Sequence, residues 1–233
     1  MSIKELISLI IFMDIKYFFV ALILCFAFGN TSAFSEVKQP DIDVQAIVSV
    51  KVKGRKDFCS GVVVAPNQIL TATHCVYSLS QQAFFPAKAI RIGIGENMFT
   101  SNFYWVNVSE LSVESDVRIE TVNDFLTNDV VRLITSEPLN MQPLKIATSI
   151  NAKSSFFAWG FGEDQWGYYG IRKSRLLEEP SIENKFISFM AGACRGDSGG
   201  PIVDNEGLVV GIVSMSAMQH CVNKGRRLAQ RVD

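Results

Sequence analysis

The sequence predicts an all-β protein, a sandwich or a barrel, on two observations. Short runs rich in β-branched and aromatic residues recur along the chain, and turn signals separate them. In order, residues 47–52 (IVSVKV) alternate, and 61–65 (GVVVA) and 68–73 (QILTAT) flank a turn at Pro66-Asn67. Residues 90–94 (IRIGI), 104–108 (YWVNV) and 130–134 (VVRLI) continue the pattern. In the second half come 156–160 (FFAWG), 201–203 (PIV) and 208–215 (LVVGIVSM), the last two joined by the hairpin signal Asp204-Asn205-Glu206-Gly207. Periodicity does not choose between sandwich and barrel.

Composition narrows the class further. The chain has 233 residues, a formal net charge of −1, 48% hydrophobic and 19% charged residues. It has neither the basic excess of a nucleic-acid binder nor an acidic tail, and its length suits one compact unit with an ample core.

The first 33 residues read as a secretory signal peptide. The apolar run 17–28 (YFFVALILCFAF) follows Lys16 and precedes Asn30-Thr31-Ser32-Ala33, with cleavage expected after Ala33. The run is shorter than the roughly 20 apolar residues of a spanning helix, so no stable membrane anchor is expected after cleavage. Met13 offers an alternative start, which would leave 1–12 untranslated, and Leu24 before Cys25 argues against a lipoprotein anchor. The expected destination is secreted or periplasmic. Of five cysteines, Cys25 leaves with the leader, and Cys59, Cys75, Cys194 and Cys221 remain. An even count in an exported chain reads as two disulfides, with three pairings open. No CxxC pair occurs and only two histidines are present, so no metal site and no cofactor are expected.

The chemistry concentrates in Cys194-Arg195-Gly196-Asp197-Ser198-Gly199-Gly200-Pro201. A serine hydroxyl stands there among glycines, on a turn able to offer N–H donors to an oxyanion, as acyl transfer requires. The plain alternative is a Gly-rich turn. Upstream lies Thr71-Ala72-Thr73-His74-Cys75, whose His74 is the candidate base; the other histidine, His220, adjoins Cys221. A loose match of Gly196–Gly200 to GxSxG raises an esterase of unrelated fold, against which the upstream box and the β-rich pattern argue.

With these two motifs, TATHC and GDSGGP, the sequence resembles the trypsin/chymotrypsin family of serine endopeptidases from about Ile47 onward. The resemblance implies two six-stranded antiparallel Greek-key barrels, about 45–140 and 141–233 within a domain of 34–233, with the active site in the cleft between them. It implies the pairings Cys59–Cys75 and Cys194–Cys221, each worth about 3 kcal/mol in the loop-entropy picture. It implies His74 as base, Ser198 as nucleophile, and the N–H groups of Gly196 and Ser198 as the oxyanion hole. Asn128-Asp129-Val130-Val131-Arg132-Leu133 resembles the family stretch carrying the orienting carboxylate. Asp129 is therefore the expected third member, with Asp116 and Asp124 as alternatives. Ser214 matches the serine behind the Asp–His pair.

Three departures from the family pattern bear on function. Gly192, followed by Ala193, stands where a trypsin carries an Asp at the pocket base, and Ser214-Met215-Ser216 replaces Ser-Trp-Gly on the pocket wall. Cleavage after Lys or Arg is therefore expected to be absent or weak, and small or medium apolar side chains fit better. Arg226 or Arg227, depending on alignment, falls where a pocket glycine is usual; pointing inward it would favour acidic side chains, and otherwise it is solvated. No IVGG precedes Cys59, so the amine expected to pair with Asp197 is that of Phe34, freed by signal cleavage. The chain also stops at Arg231-Val232-Asp233, where relatives continue into a helix, and Asn107-Val108-Ser109 is a glycosylation sequon only on a eukaryotic route. The expected activity is peptide hydrolysis by a monomer, with protein or peptide substrates and protein inhibitors as partners. The alternative is a catalytically silent homologue acting as a binding protein.

Overall fold

The computed structural model describes residues 37–113, 119–216, 221 and 225–233, with the side chains of Met215 and Ser216 left out. The expected signal peptide, Phe34, Asp116 and His220 lie outside these residues. The chain divides after Val37, and everything below concerns the unit Lys38–Asp233.

The first half closes into a barrel. Its strands are β1 (Ile47–Val52), β2 (Cys59–Ala65), β3 (Gln68–Thr71), β6 (Ile90–Ile94), β7 (Tyr104–Ser112) and β8 (Val131–Thr135), in the order β1-β2-β3-β8-β7-β6. All pairs are antiparallel, with registers such as Ile47 opposite Val62 and Ile69 opposite Leu133. Apolar residues of every strand fill the interior, Ile47, Val62, Ile69, Ile92 and Leu133 being fully buried. Between β3 and β6 sit the single helical turn α1 (Thr73–Val76) and a small hairpin of β4 (Tyr77–Ser78) and β5 (Ala83–Phe84). A 3-10 turn, Val122–Leu126, precedes β8.

The second half is a half-barrel rather than a closed six-stranded ring. Seven strands run in the order β10-β9-β13-β14-β15-β12-β11. They are β9 (Phe156–Gly160), β10 (Lys173–Leu176), β11 (Ser181–Ile182), β12 (Phe186–Phe189), β13 (Pro201–Asp204), β14 (Val209–Ser216) and β15 (Arg227–Arg231). The sequence pattern anticipates β9, β13 and β14, whose residues are apolar. It misses β10 (KSRL) and β15 (RLAQR), because their charged residues look like solvated loop.

β9 joins the halves. Its pleat sends Phe157 and Trp159 into the core that includes β1 and β2, and Phe156 and Ala158 into the core of the second sheet. A strand buried on both faces reads as the continuous apolar run FFAW.

Candidate active site

α1 carries His74 to the rim of the first barrel. Cys75, the next residue, is bonded to Cys59 at the start of β2, which fixes the turn against the barrel. Asp129, just before β8, is fully buried beneath it. Its Oδ2 lies 2.7 Å from His74 Nδ1, and its Oδ1 accepts the His74 backbone N–H at 2.9 Å. The carboxylate thus grips both the ring and the main chain of one residue. Ser214 Oγ donates a further bond to Oδ2, and the backbone N–H of Asp129 donates to Gln230 Oε1 on β15 at 2.5 Å. Phe125 stands edge-on to the imidazole, ring centres 5.9 Å apart. Asp124 points elsewhere, its Oδ2 accepting the N–H groups of Glu120 and Thr121. The Sγ atoms of Cys59 and Cys75 lie close to His74 but are spent in their disulfide, so they are not thiolate ligands.

The Ser198 loop is bolted to the first barrel through Ser60 on β2. Ser60 N–H donates to Ser198 O and Ser60 Oγ to Gly196 O, both at 2.8 Å, while Ser60 Oγ accepts the N–H of Phe161 at 3.0 Å. Within the loop, the N–H groups of Asp197, Gly199 and Gly200 bond to the carbonyls of Cys194, Val213 and Asp197. Those of Gly196 and Ser198 have no backbone acceptor among the described residues. Gly196 has φ +96°, and a Cβ there would meet Phe58 and Gly162 at about 3 Å, so the turn admits only glycine without strain. Ser198 Oγ donates to Ser214 O at 3.4 Å. Cys194 is bonded to Cys221, as the pairing implied by resemblance requires.

His74 and Ser198 sit where two depressions meet. One is walled by Phe58, Tyr169 and Arg195. The other is walled by Ala193, Val213, Ser214 and Arg227. Of the pair Gly192-Ala193, Ala193 lines this second cavity; a Cβ at Gly192 would run into Leu176 O and Leu177 at 2.8 Å. The Met215 and Ser216 side chains, expected on the pocket wall, lie outside the described residues. The two arginines separate cleanly. The Arg226 side chain is 67% exposed, 3.6 Å from Glu183. Arg227 is 1% exposed, and its Nη1 donates to Met190 O and to Gly225 O. Burial lowers the Arg227 guanidinium from its ordinary value, with Glu178 raising it and Arg175 lowering it further. It still carries its charge.

Asp197, beside the serine, is 1% exposed. Its Oδ1 accepts Gly162 N–H and its Oδ2 accepts Cys194 N–H, both at 2.8 Å, and Arg175 Nη1 on β10 reaches Oδ2 at 2.5 Å. Burial pushes this carboxyl up from the ordinary value, while Arg175 and the two N–H donors pull it down. Ser60, Phe125, Arg175 and Gln230 are parts of this architecture that carry no motif in the sequence.

A barrel-and-sheet fold with a serine, an imidazole and a buried carboxylate at one cleft defines a class, the hydrolases that attack through serine. A family model described as Trypsin matches residues 34–233, and the chain belongs to that family of serine proteases. It is 26% identical to "Trypsin Blo t 3" of Blomia tropicalis over 199 residues, 74% of this chain and 72% of that protein. It is 23% identical to "Trypsin" of Phaedon cochleariae over 184 residues, 67% and 68% of the two chains. It is 26% identical to "Hypodermin-B" of Hypoderma lineatum over 189 residues, 70% and 69%.

Proposed function

We propose that this chain is an exported serine endopeptidase working through an acyl-enzyme on Ser198. The observation that carries the reading is the 2.7 Å contact of buried Asp129 with His74, on a cavity that Ser198 also lines. Asp129 holds Nδ1–H, leaving Nε2 to take the Ser198 proton as Oγ attacks the scissile carbonyl. The 3.4 Å bond from Ser198 Oγ to Ser214 O is long for a hydroxyl, so little is lost when the hydroxyl turns to Nε2 with substrate in place. The N–H groups of Gly196 and Ser198 receive the oxyanion. His74 then passes its proton to the leaving amine, and water, deprotonated by the same nitrogen, releases the acid product.

Arg227 supports the substrate reading. A buried cation on the wall beside Ser198 repels Lys and Arg side chains and offers charge-assisted hydrogen bonds to Asp or Glu. Export accords with the leader-like N-terminus and with the two disulfides, which persist in oxidising compartments. Among the described residues no helix is long and apolar enough to cross a membrane.

The test is labelling with a fluorophosphonate probe, followed by profiling on a peptide library. Wild type should label and Ser198→Ala should not. A folded wild type that fails to label makes the chain a binding protein, and abundant cleavage after Lys or Arg overturns the specificity.

A further inference from the structure

We infer that Arg175 is the internal cation that holds the Ser198 loop in its working shape, so that competence does not depend on freeing an N-terminal amine. The inference rests on the protease reading above and adds to it a positioning residue.

Asp197 stands in the chain between Gly196 and Ser198, whose N–H groups are the expected oxyanion donors, so anchoring its side chain constrains the backbone that carries them. It is anchored from three directions: Gly162 N–H, Cys194 N–H and the Arg175 guanidinium. Arg175 is itself placed. It lies on β10 opposite Ala158 of β9, its side chain is 19% exposed, and its Nη2 donates to Glu163 O. Glu163 N–H in turn donates to Arg195 O, two residues before Asp197. One guanidinium therefore ties the β9–β10 connection to Asp197 directly, and to Arg195 through Glu163.

The space around the carboxylate is also filled. A Cβ on Gly160 would fall 2.4 Å from Asp197 Oδ1, and one on Gly162 would fall 2.5 Å from its Cγ. An ammonium group brought to Asp197 would have to displace Arg175, or else stand as a further cation in a region that already holds Arg175 and buried Arg227. Among the described residues the cation that pairs with Asp197 is Arg175, which belongs to a strand of the fold. A planar guanidinium suits this place better than an ammonium, since its fork serves Asp197 and Glu163 at once.

The experiment compares the exported chain with a free amine against the same chain blocked by a short Gly-Ser extension. Equal kcat/KM, within about twofold, is expected, and a loss of about 100-fold on blocking overturns the inference. Arg175→Met should lower kcat by about 100-fold with a much smaller change in KM, as for loss of an oxyanion donor. Arg175→Lys should restore part of it, a rescue that a loss of bulk packing would not show. Undiminished kcat in Arg175→Met overturns the inference. Should Arg175→Met not fold, the free and blocked wild types decide. Hydrogen exchange gives a readout apart from turnover: amides of residues 194–199 should exchange faster in Arg175→Met while those of β1 and β9 do not. If neither wild-type form labels or turns over, the protease reading fails, and exchange still reports whether Arg175 orders the loop. Unchanged exchange at 194–199 counts against it.

Discussion

Asp129 receives the imidazole Nδ1, the backbone N–H of the same histidine and the Ser214 hydroxyl. A neutral amide in its place keeps the volume but presents a donor to Nδ1 or loses the negative charge that stabilises imidazolium. Asp129→Asn should therefore lower kcat by about 10⁴-fold, the scale of an inverted imidazole tautomer, in a protein whose circular dichroism is unchanged. Arg227 and Arg226 make a paired prediction. Arg227→Ala should collapse the preference for acidic over small apolar substrates by about 10- to 100-fold in kcat/KM, the worth of one charged hydrogen bond. Arg226→Ala, at an exposed site, should leave the profile of cleaved peptides as it was.

At the scale of elements, the turn Val122–Leu126 matters because it presents Phe125 to the His74 ring. Asp124 closes that turn by reaching back to the N–H groups of Glu120 and Thr121, and the Thr121 backbone contact leads the causes that hold its carboxyl below the ordinary 3.8. The sign follows from linkage: the folded state prefers the ionised form, so the closure is present above pH 3.8 and is lost only as pH falls through the lowered value. Amide exchange in residues 119–127 should stay slow down to that pH in the wild type and be faster at every pH in Asp124→Ala. The β9–β10 connection offers a second case. Gly162→Ala would place a Cβ 2.5 Å from Asp197 Cγ, pushing the carboxylate off its donors. Thermal unfolding should show a loss of about 1–3 kcal/mol from overpacking, accompanied by a fall in kcat because the Ser198 loop moves with Asp197.

On the scale of the whole molecule, the two halves share their interior. β9 contributes Phe157 and Trp159 to one core and Phe156 and Ala158 to the other, and Ser60 ties β2 to the Ser198 loop. Neither half can open without exposing the other, so calorimetry should show a single transition whose calorimetric and van't Hoff enthalpies agree. The Cys59–Cys75 bond spans 16 positions of chain. Replacing both cysteines by alanine should cost about 3 kcal/mol and lower Tm by about 6–12 °C in a chain of this size. The loss should extend to kcat, because α1 is held to β2 by that bond.

Local chemistry is what the sequence determined alone. His74 and Ser198 stand in short contiguous motifs, and strands such as 47–52, 90–94 and 156–160 declare themselves because their burial is written in consecutive side chains. Positions decided by strand parity and by long-range register required the tertiary structure. Asp129 rather than Asp124 meets His74, 55 positions away, because β8 pairs with β3 and delivers its first turn beneath α1. On β15 the pleat buries Arg227 and Ala229 and turns Gln230 toward Asp129, an assignment invisible in a stretch that reads as RRLAQR. Arg175 carries no motif in the sequence, yet pairing of β10 with β9 carries it to Asp197. Charge in a sequence signals solvent by default. Only the fold reveals where a buried carboxylate or a cavity wall has drawn that charge inside.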